Sequence, residues 1–159
     1  MITAMGATGR VGRLIVAALE GNAAEALPVV EELGCVADPL DPDLPVPLVA
    51  TRYVAVATAS ALRTRDRTGV VELLGPRDLT QVEVAAVLGA ALGRPDLPYV
   101  RLPDEEMAAA LVGAGSSPDA AARHLGMTRA LNEGRIAARR TAENTTPTGI
   151  GDLVGEWVA

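Results

Sequence analysis

Met1-Ile2-Thr3-Ala4-Met5-Gly6-Ala7-Thr8-Gly9-Arg10-Val11-Gly12 is the stretch whose reading decides the fold. The apolar run Ile2 to Met5 suits a short strand. Three evenly spaced glycines follow, and then an amphipathic helix from about Val11 to Leu19, stopped by Gly21-Asn22. In a strand–glycine–helix unit each glycine has a use. Gly6 permits the tight turn, Gly9 lets the backbone approach a pyrophosphate, and Gly12 allows close packing of helix on strand. The helix N-terminus adds amide donors and a partial positive charge. On this reading Gly6, Thr8, Gly9, Arg10, Val11 and Gly12 are the cofactor-binding residues, with Arg10 a cation for a 2′-phosphate. The same pattern also serves a turn that merely packs a helix close to a strand, so the loop alone leaves both readings open.

Outward from this unit, residues 23–33 read as a second helical piece interrupted by Pro28. Pro39, Pro42, Pro45 and Pro47 then punctuate a loop from Asp38 to Pro47 and forbid a helix there. Leu48 to Thr51 reads as a strand and Tyr53 to Arg63 as a small-residue helix. Val70 to Leu74 has the β-branched, apolar character of a buried strand. Thr80-Gln81-Val82-Glu83 is a capping box, and the helix it opens runs to about Leu92 with Gly93 as its stop. Tyr99 to Leu102 is a further strand. Asp104 caps a helix to about Val112, and Ser117 with Pro118 starts another to about Asn132. A last helix falls near Asp152 to Val158. Alternating strands and helices give the α/β class. The expected fold is a reduced Rossmann-like, three-layer arrangement with a small, rearranged, mostly parallel sheet and a helical C-terminal half. It forms one domain, in which 1–22 is a βα unit, 23–47 a helix and proline-rich connection, and 48–159 the remaining region.

Composition bounds the function. The 159 residues suffice for one core, and nearly half are hydrophobic, but there is no Phe, one Trp and two Tyr. Net charge is −6 and every basic residue is Arg, a balance that argues against nucleic acid or an anionic membrane as partner. The single Cys35 excludes an intrachain disulfide and points to a reducing, cytoplasmic setting. One His and one Cys also argue against zinc, so no metal is expected.

Several blocks resemble the NmrA-like, atypical short-chain dehydrogenase family. Met1 to Gly12 resembles its N-terminus. Val49-Ala50-Thr51-Arg52-Tyr53-Val54-Ala55, continued by Ala57 to Leu62, resembles its strand and following helix, with Tyr53 standing where the family usually has Asp. Val71-Glu72-Leu73-Leu74-Gly75-Pro76, with Leu79-Thr80 and Val84-Ala85, resembles its Leu-Thr-Gly-Pro block, which is the most specific of these matches. Gly93-Arg94-Pro95, Tyr99-Val100 and Pro103 continue it. The resemblance implies a protein that binds NAD(P) without the usual catalytic machinery of ordinary short-chain dehydrogenases. It also implies an internal shortening. The family has several strand–helix units where this chain has only residues 23–47. The shortening would remove the strand whose end normally holds the adenosine ribose, a role for which Asp38 is a candidate replacement acid. The Tyr-x-x-x-Lys pair of ordinary short-chain dehydrogenases is excluded, because the chain has no Lys.

The catalytic candidates are Tyr53, Arg52 and Asp38. The Tyr53 hydroxyl beside Arg52 could polarise a carbonyl, although a half-buried, hydrogen-bonded aromatic would look the same. His124 could act as a general base, but a surface or cap-adjacent histidine explains it as well. The preferred expectation is a cofactor-independent enzyme, of cyclase, isomerase or dehydratase type. It would act on an apolar polyketide- or quinone-like intermediate of secondary metabolism, with no cofactor, and form a homodimer that covers former interior surface. The alternatives are an NAD(P)H-dependent oxidoreductase using NADP or NAD, and a non-enzymatic small-molecule or redox sensor.

Overall fold

The computed structural model describes residues 34–64, 69–113 and 115–157. The glycine loop Gly6 to Gly12, the strand read at Ile2 to Met5 and the helical pieces before residue 34 lie outside the described residues. The order is β1 (Val36–Asp38), β2 (Val46–Pro47), α1 (Thr51–Thr64), β3 (Asp78–Leu79), α2 (Gln81–Ala91), β4 (Tyr99–Arg101), α3 (Asp104–Gly113), α4 (Pro118–Asn132) and α5 (Ile150–Trp157).

The α/β class is as expected. β1 and β4 form a parallel pair in the register Val36–Tyr99, Ala37–Val100, Asp38–Arg101. The Val36 N–H donates to the Pro98 carbonyl at 2.9 Å and the Leu102 N–H to that of Asp38 at 3.1 Å, so the ladder extends one step past each end. β2 and β3 pair antiparallel through Val46–Leu79 and Pro47–Asp78, and a parallel bridge joins Leu74 to Thr145.

The helices pack in two pairs, α3 against α4 and α2 against α5, and α2 also touches β4. On α4 the buried residues Ala121, Leu125 and Thr128 follow the spacing of one helical face. Val154 of α5 and Ala85 of α2 are among the most deeply buried residues. The core is built from Val, Leu and Ala, with one Met, as the missing aromatics require.

Most helix signals hold. Thr80 and Glu83 form the reciprocal capping box and Ser117 caps α4 with Pro118 behind it. Gly93 ends α2 at φ +67°, a left-handed value suited to glycine. Asp104 begins α3 rather than capping it. The first backbone bond runs from the Met107 N–H to the Pro103 carbonyl at 3.1 Å, and the Asp104 carboxylate pairs with Arg129 of α4.

Two expected strands are corrected. The paired strand lies at Val46–Pro47, not Leu48 to Thr51, because the backbone at Leu48 runs hard against Gly75 and α1 has already begun at Thr51. Val70 to Leu74 is not a buried strand. Val70 is 92% exposed and Val71 54%, and only Leu74 finds a partner, its N–H donating to Asn144 O and its carbonyl accepting from Thr146 N–H. β-branched residues read as a strand, but a strand needs a neighbour, and the 144–146 turn offers one bridge and no more.

Candidate functional site

Arg52 and Tyr53 fall in the first turn of α1, where the Tyr53 N–H donates to the Ala50 carbonyl at 3.0 Å. The loop before α5 closes over them. The Tyr53 and Thr148 hydroxyls lie 2.7 Å apart, and the Arg52 guanidinium donates to Thr148 Oγ1 at 3.0 Å. The guanidinium carbon also stands 5.8 Å from the Tyr53 ring centroid, a cation–π distance that fixes the ring beneath it. Each hydroxyl carries one proton and two acceptor sites. Only one proton lies between the two oxygens, so the other O–H is left to donate to a third atom. That spare donor, beside a cation, is what polarising a carbonyl or imine requires. Sequence reasoning missed Thr148, which lies far along the chain from Tyr53 in a Thr-rich turn that carries no motif.

Asp38 is not part of this group. It ends β1, where its backbone carbonyl accepts from the Tyr99 hydroxyl at 2.8 Å and one carboxylate oxygen accepts from the Leu40 N–H at 2.9 Å. Its second oxygen faces His124 Nε2 at 3.6 Å. The expected trio of Tyr53, Arg52 and Asp38 is therefore divided between two places. His124 is neither fully on the surface nor at a cap. It lies at the edge of the buried face of α4, and its side chain is one-third exposed. The Asp38 carboxylate holds its ionisation above the ordinary histidine value, against the opposing effect of burial. Tyr99, whose hydroxyl also reaches Leu40 O at 2.8 Å, is pushed up to about 12 by burial first and by the Asp38 charge second.

A cleft of about 380 Å³ opens at the carboxyl ends of β1 and β4. Pro39, Arg101 and Pro103 line it together with Arg129, Asn132 and Glu133. Ligands of open parallel sheets settle at this end of the strands. Its arginines are already matched, Arg101 by Asp41 at 3.1 Å and Arg129 by Asp104, so the cleft holds no surplus positive charge for phosphate. It is also at the small end of ordinary ligand pockets. The described residues thus form a small open cleft and no cradle for a pyrophosphate. Among the described residues no group of three or more His, Cys, Asp or Glu gathers, and no helix is long and apolar enough to cross a membrane.

With this geometry in view the relatives are informative. No family model matches the chain. Agroclavine dehydrogenase of Claviceps fusiformis is 34% identical over 115 residues, covering 72% of this chain and 36% of that protein. Among solved structures, the triphenylmethane reductase of Citrobacter sp. superposes with a TM-score of 0.63 over 84% of this chain and 47% of its own, at 20% identity. The same reductase complexed with NADP(H) gives 0.64 over 84% and 48%, at 21% identity. In fold and in these stretches of sequence the chain resembles the NmrA-like, atypical short-chain dehydrogenases. It spans less than half the length of these relatives. Its described residues keep a Rossmann-like arrangement with two two-stranded sheets.

The expectation of no cofactor is overturned, since a structural neighbour of this chain is a reductase complexed with NADP(H). That expectation rested on counting strands. The preference for a cofactor-independent cyclase has no support either, because the relatives are a dehydrogenase and a reductase. Gly6, Thr8, Gly9, Arg10, Val11 and Gly12, on which nucleotide binding would depend, lie outside the described residues.

Proposed function

We propose that this chain is an NAD(P)H-dependent oxidoreductase of the NmrA-like type, acting on an apolar organic acceptor. The similarity to agroclavine dehydrogenase over most of the chain carries the reading, and the Rossmann-like fold supports it. The phosphates fall to the Gly6 to Gly12 loop, since the described cleft lacks free cations for them. A bound NAD(P)H supplies the hydride. The chain's own contribution is orientation and polarisation. The Tyr53–Thr148 hydroxyl pair donates its spare proton to the acceptor's heteroatom, and Arg52, bonded to Thr148, makes that donor stronger. Without Lys or the usual pair, binding and positioning supply most of the rate.

Turnover with NADPH of a quinone, whose oxygen takes up a proton as the hydride arrives, tests the reading when followed by loss of NADPH absorbance. The intact protein is expected to oxidise NADPH only when the quinone is present. Tyr53→Phe is expected to lower kcat by about a hundredfold to a thousandfold, the range for losing one donor to developing charge. Failure to bind either NADPH or NADH overturns the oxidoreductase reading. Full activity in both Tyr53→Phe and Thr148→Val overturns the role given to the hydroxyl pair.

A further inference from the structure

The carboxyl end of β1 is fastened to α4 at two points. His124 faces the Asp38 carboxylate, and two turns further on, on the same helix face, Asn132 donates to Pro39 O at 3.1 Å and accepts from the Asp41 N–H at 2.8 Å. Pro39 and Asn132 also both line the cleft. We propose that the Asp38–His124 contact is a pH-sensitive latch that holds α4 against β1 and so steadies this side of the cleft.

The argument begins with the orphaned nitrogen. His124 Nε2 is shielded from solvent and has no hydrogen-bond partner within normal distance. With its proton, it makes a charged pair with Asp38 Oδ2 at 3.6 Å, and a small approach converts this to a charge-assisted hydrogen bond. When the ring loses a proton, the tautomer that keeps Nε2–H retains only a neutral donor towards Asp38, and the one that keeps Nδ1–H turns a shielded lone pair on the carboxylate; both hold less tightly than the charged pair.

Asp38 is the charge that governs this histidine. Asp41, in the turn after β1, is engaged by Arg101. On α3, the helix packed against α4, Asp104 is engaged by Arg129, while Glu105 and Glu106 are exposed. On α4 itself Arg123 pairs with Asp119. The ionisation of His124 is accordingly raised, so the latch holds most tightly below the ordinary histidine range and loosens as pH rises through the raised value. The Asn132 bonds to Pro39 and Asp41 then carry the fastening alone and open more readily, so this side of the cleft loosens on the alkaline side.

The single histidine makes the test direct. Proton NMR of the whole chain follows His124 through its titration, and hydrogen exchange follows the Asp41 amide. The midpoint is expected above the free-histidine value. Protection of the Asp41 amide, corrected for intrinsic exchange, should fall about tenfold between about pH 6 and 9. His124→Gln should abolish that pH dependence, and Asp38→Asn should bring the midpoint down to the ordinary value or below it, because burial then acts unopposed. If His124→Gln does not fold, the wild-type titration and Asp38→Asn still decide. An unshifted midpoint, a midpoint that Asp38→Asn leaves unchanged, or identical Asp41 protection profiles with and without His124 overturns the latch.

Discussion

Gly75 shows how much can rest on one missing methyl group. A Cβ built there would lie 1.8 Å from the Leu48 carbonyl oxygen, and that neighbour is backbone that cannot swing away. Gly75→Ala is therefore expected to cost more than about 3 kcal/mol or to prevent folding, read from urea unfolding. Gly93→Ala is the comparison. Its Cβ meets nothing within 4 Å, so only its positive φ is strained and about 1 kcal/mol is expected. The sequence marked Gly75-Pro76 as the most specific block, but the reason, a close pass between two loop backbones, lies in the third dimension. Asp38 and His124 were both visible as residues, yet no spacing rule joins a strand end to a helix so far along the chain. Tyr99 is similar: read as the start of a strand, it also holds the Asp38 and Leu40 carbonyls. With its ionisation pushed up to about 12, the neutral hydroxyl is the form the fold prefers. Its contribution is complete below pH 10 and is lost as pH rises through about 12. Ultraviolet titration of Tyr53→Phe, which leaves Tyr99 as the sole tyrosine, should show a single tyrosinate step near that value. A step near 10 contradicts the burial given to it.

At the scale of elements, what was legible is what is local. The capping box at Thr80 is written within four residues, and it forms as expected. The Glu83 N–H donates to Thr80 Oγ1 at 3.2 Å and the Thr80 N–H to Glu83 Oε2 at 2.9 Å. Those bonds, with Arg77 at 2.7 Å, hold the Glu83 carboxyl below its usual value. Thr80→Ala should weaken the protein by about 1 kcal/mol, measured as a shift in urea midpoint without change in slope. Protonating Glu83 at acid pH should undo half of the same box, so Glu83→Gln should flatten the acid limb of the stability curve. Strand pairing is not local, and there the reading strayed. Val70 and Val71 have a strand's composition without a partner. Val36 to Asp38, inside a stretch read as a proline-rich connection, is a strand because β4 lies beside it.

At the scale of the molecule, α1 has no buried residue along fourteen positions, and Val56 and Leu62 stand 67% and 62% exposed. The expected homodimer is a proposal at this scale, checked by sedimentation equilibrium, where a species of monomer mass at high concentration would contradict it. Nucleotide binding belongs here too. A ligand that binds only the folded chain stabilises it by about 2.7 kcal/mol at a hundredfold excess over Kd, and a chain of this size gains roughly 5–10 °C in Tm from such binding. NADPH in excess should therefore raise the melting temperature by about that amount. Gly9→Asp, which puts bulk and negative charge where the phosphates would come closest to the backbone, should abolish the rise while leaving the unliganded Tm nearly unchanged. That pair of outcomes assigns the effect to the glycine loop. If NADPH and NADH both leave Tm unmoved, the few strands this chain retains do not form a nucleotide crevice. The resemblance to the dehydrogenases would then be one of fold and ancestry without their chemistry.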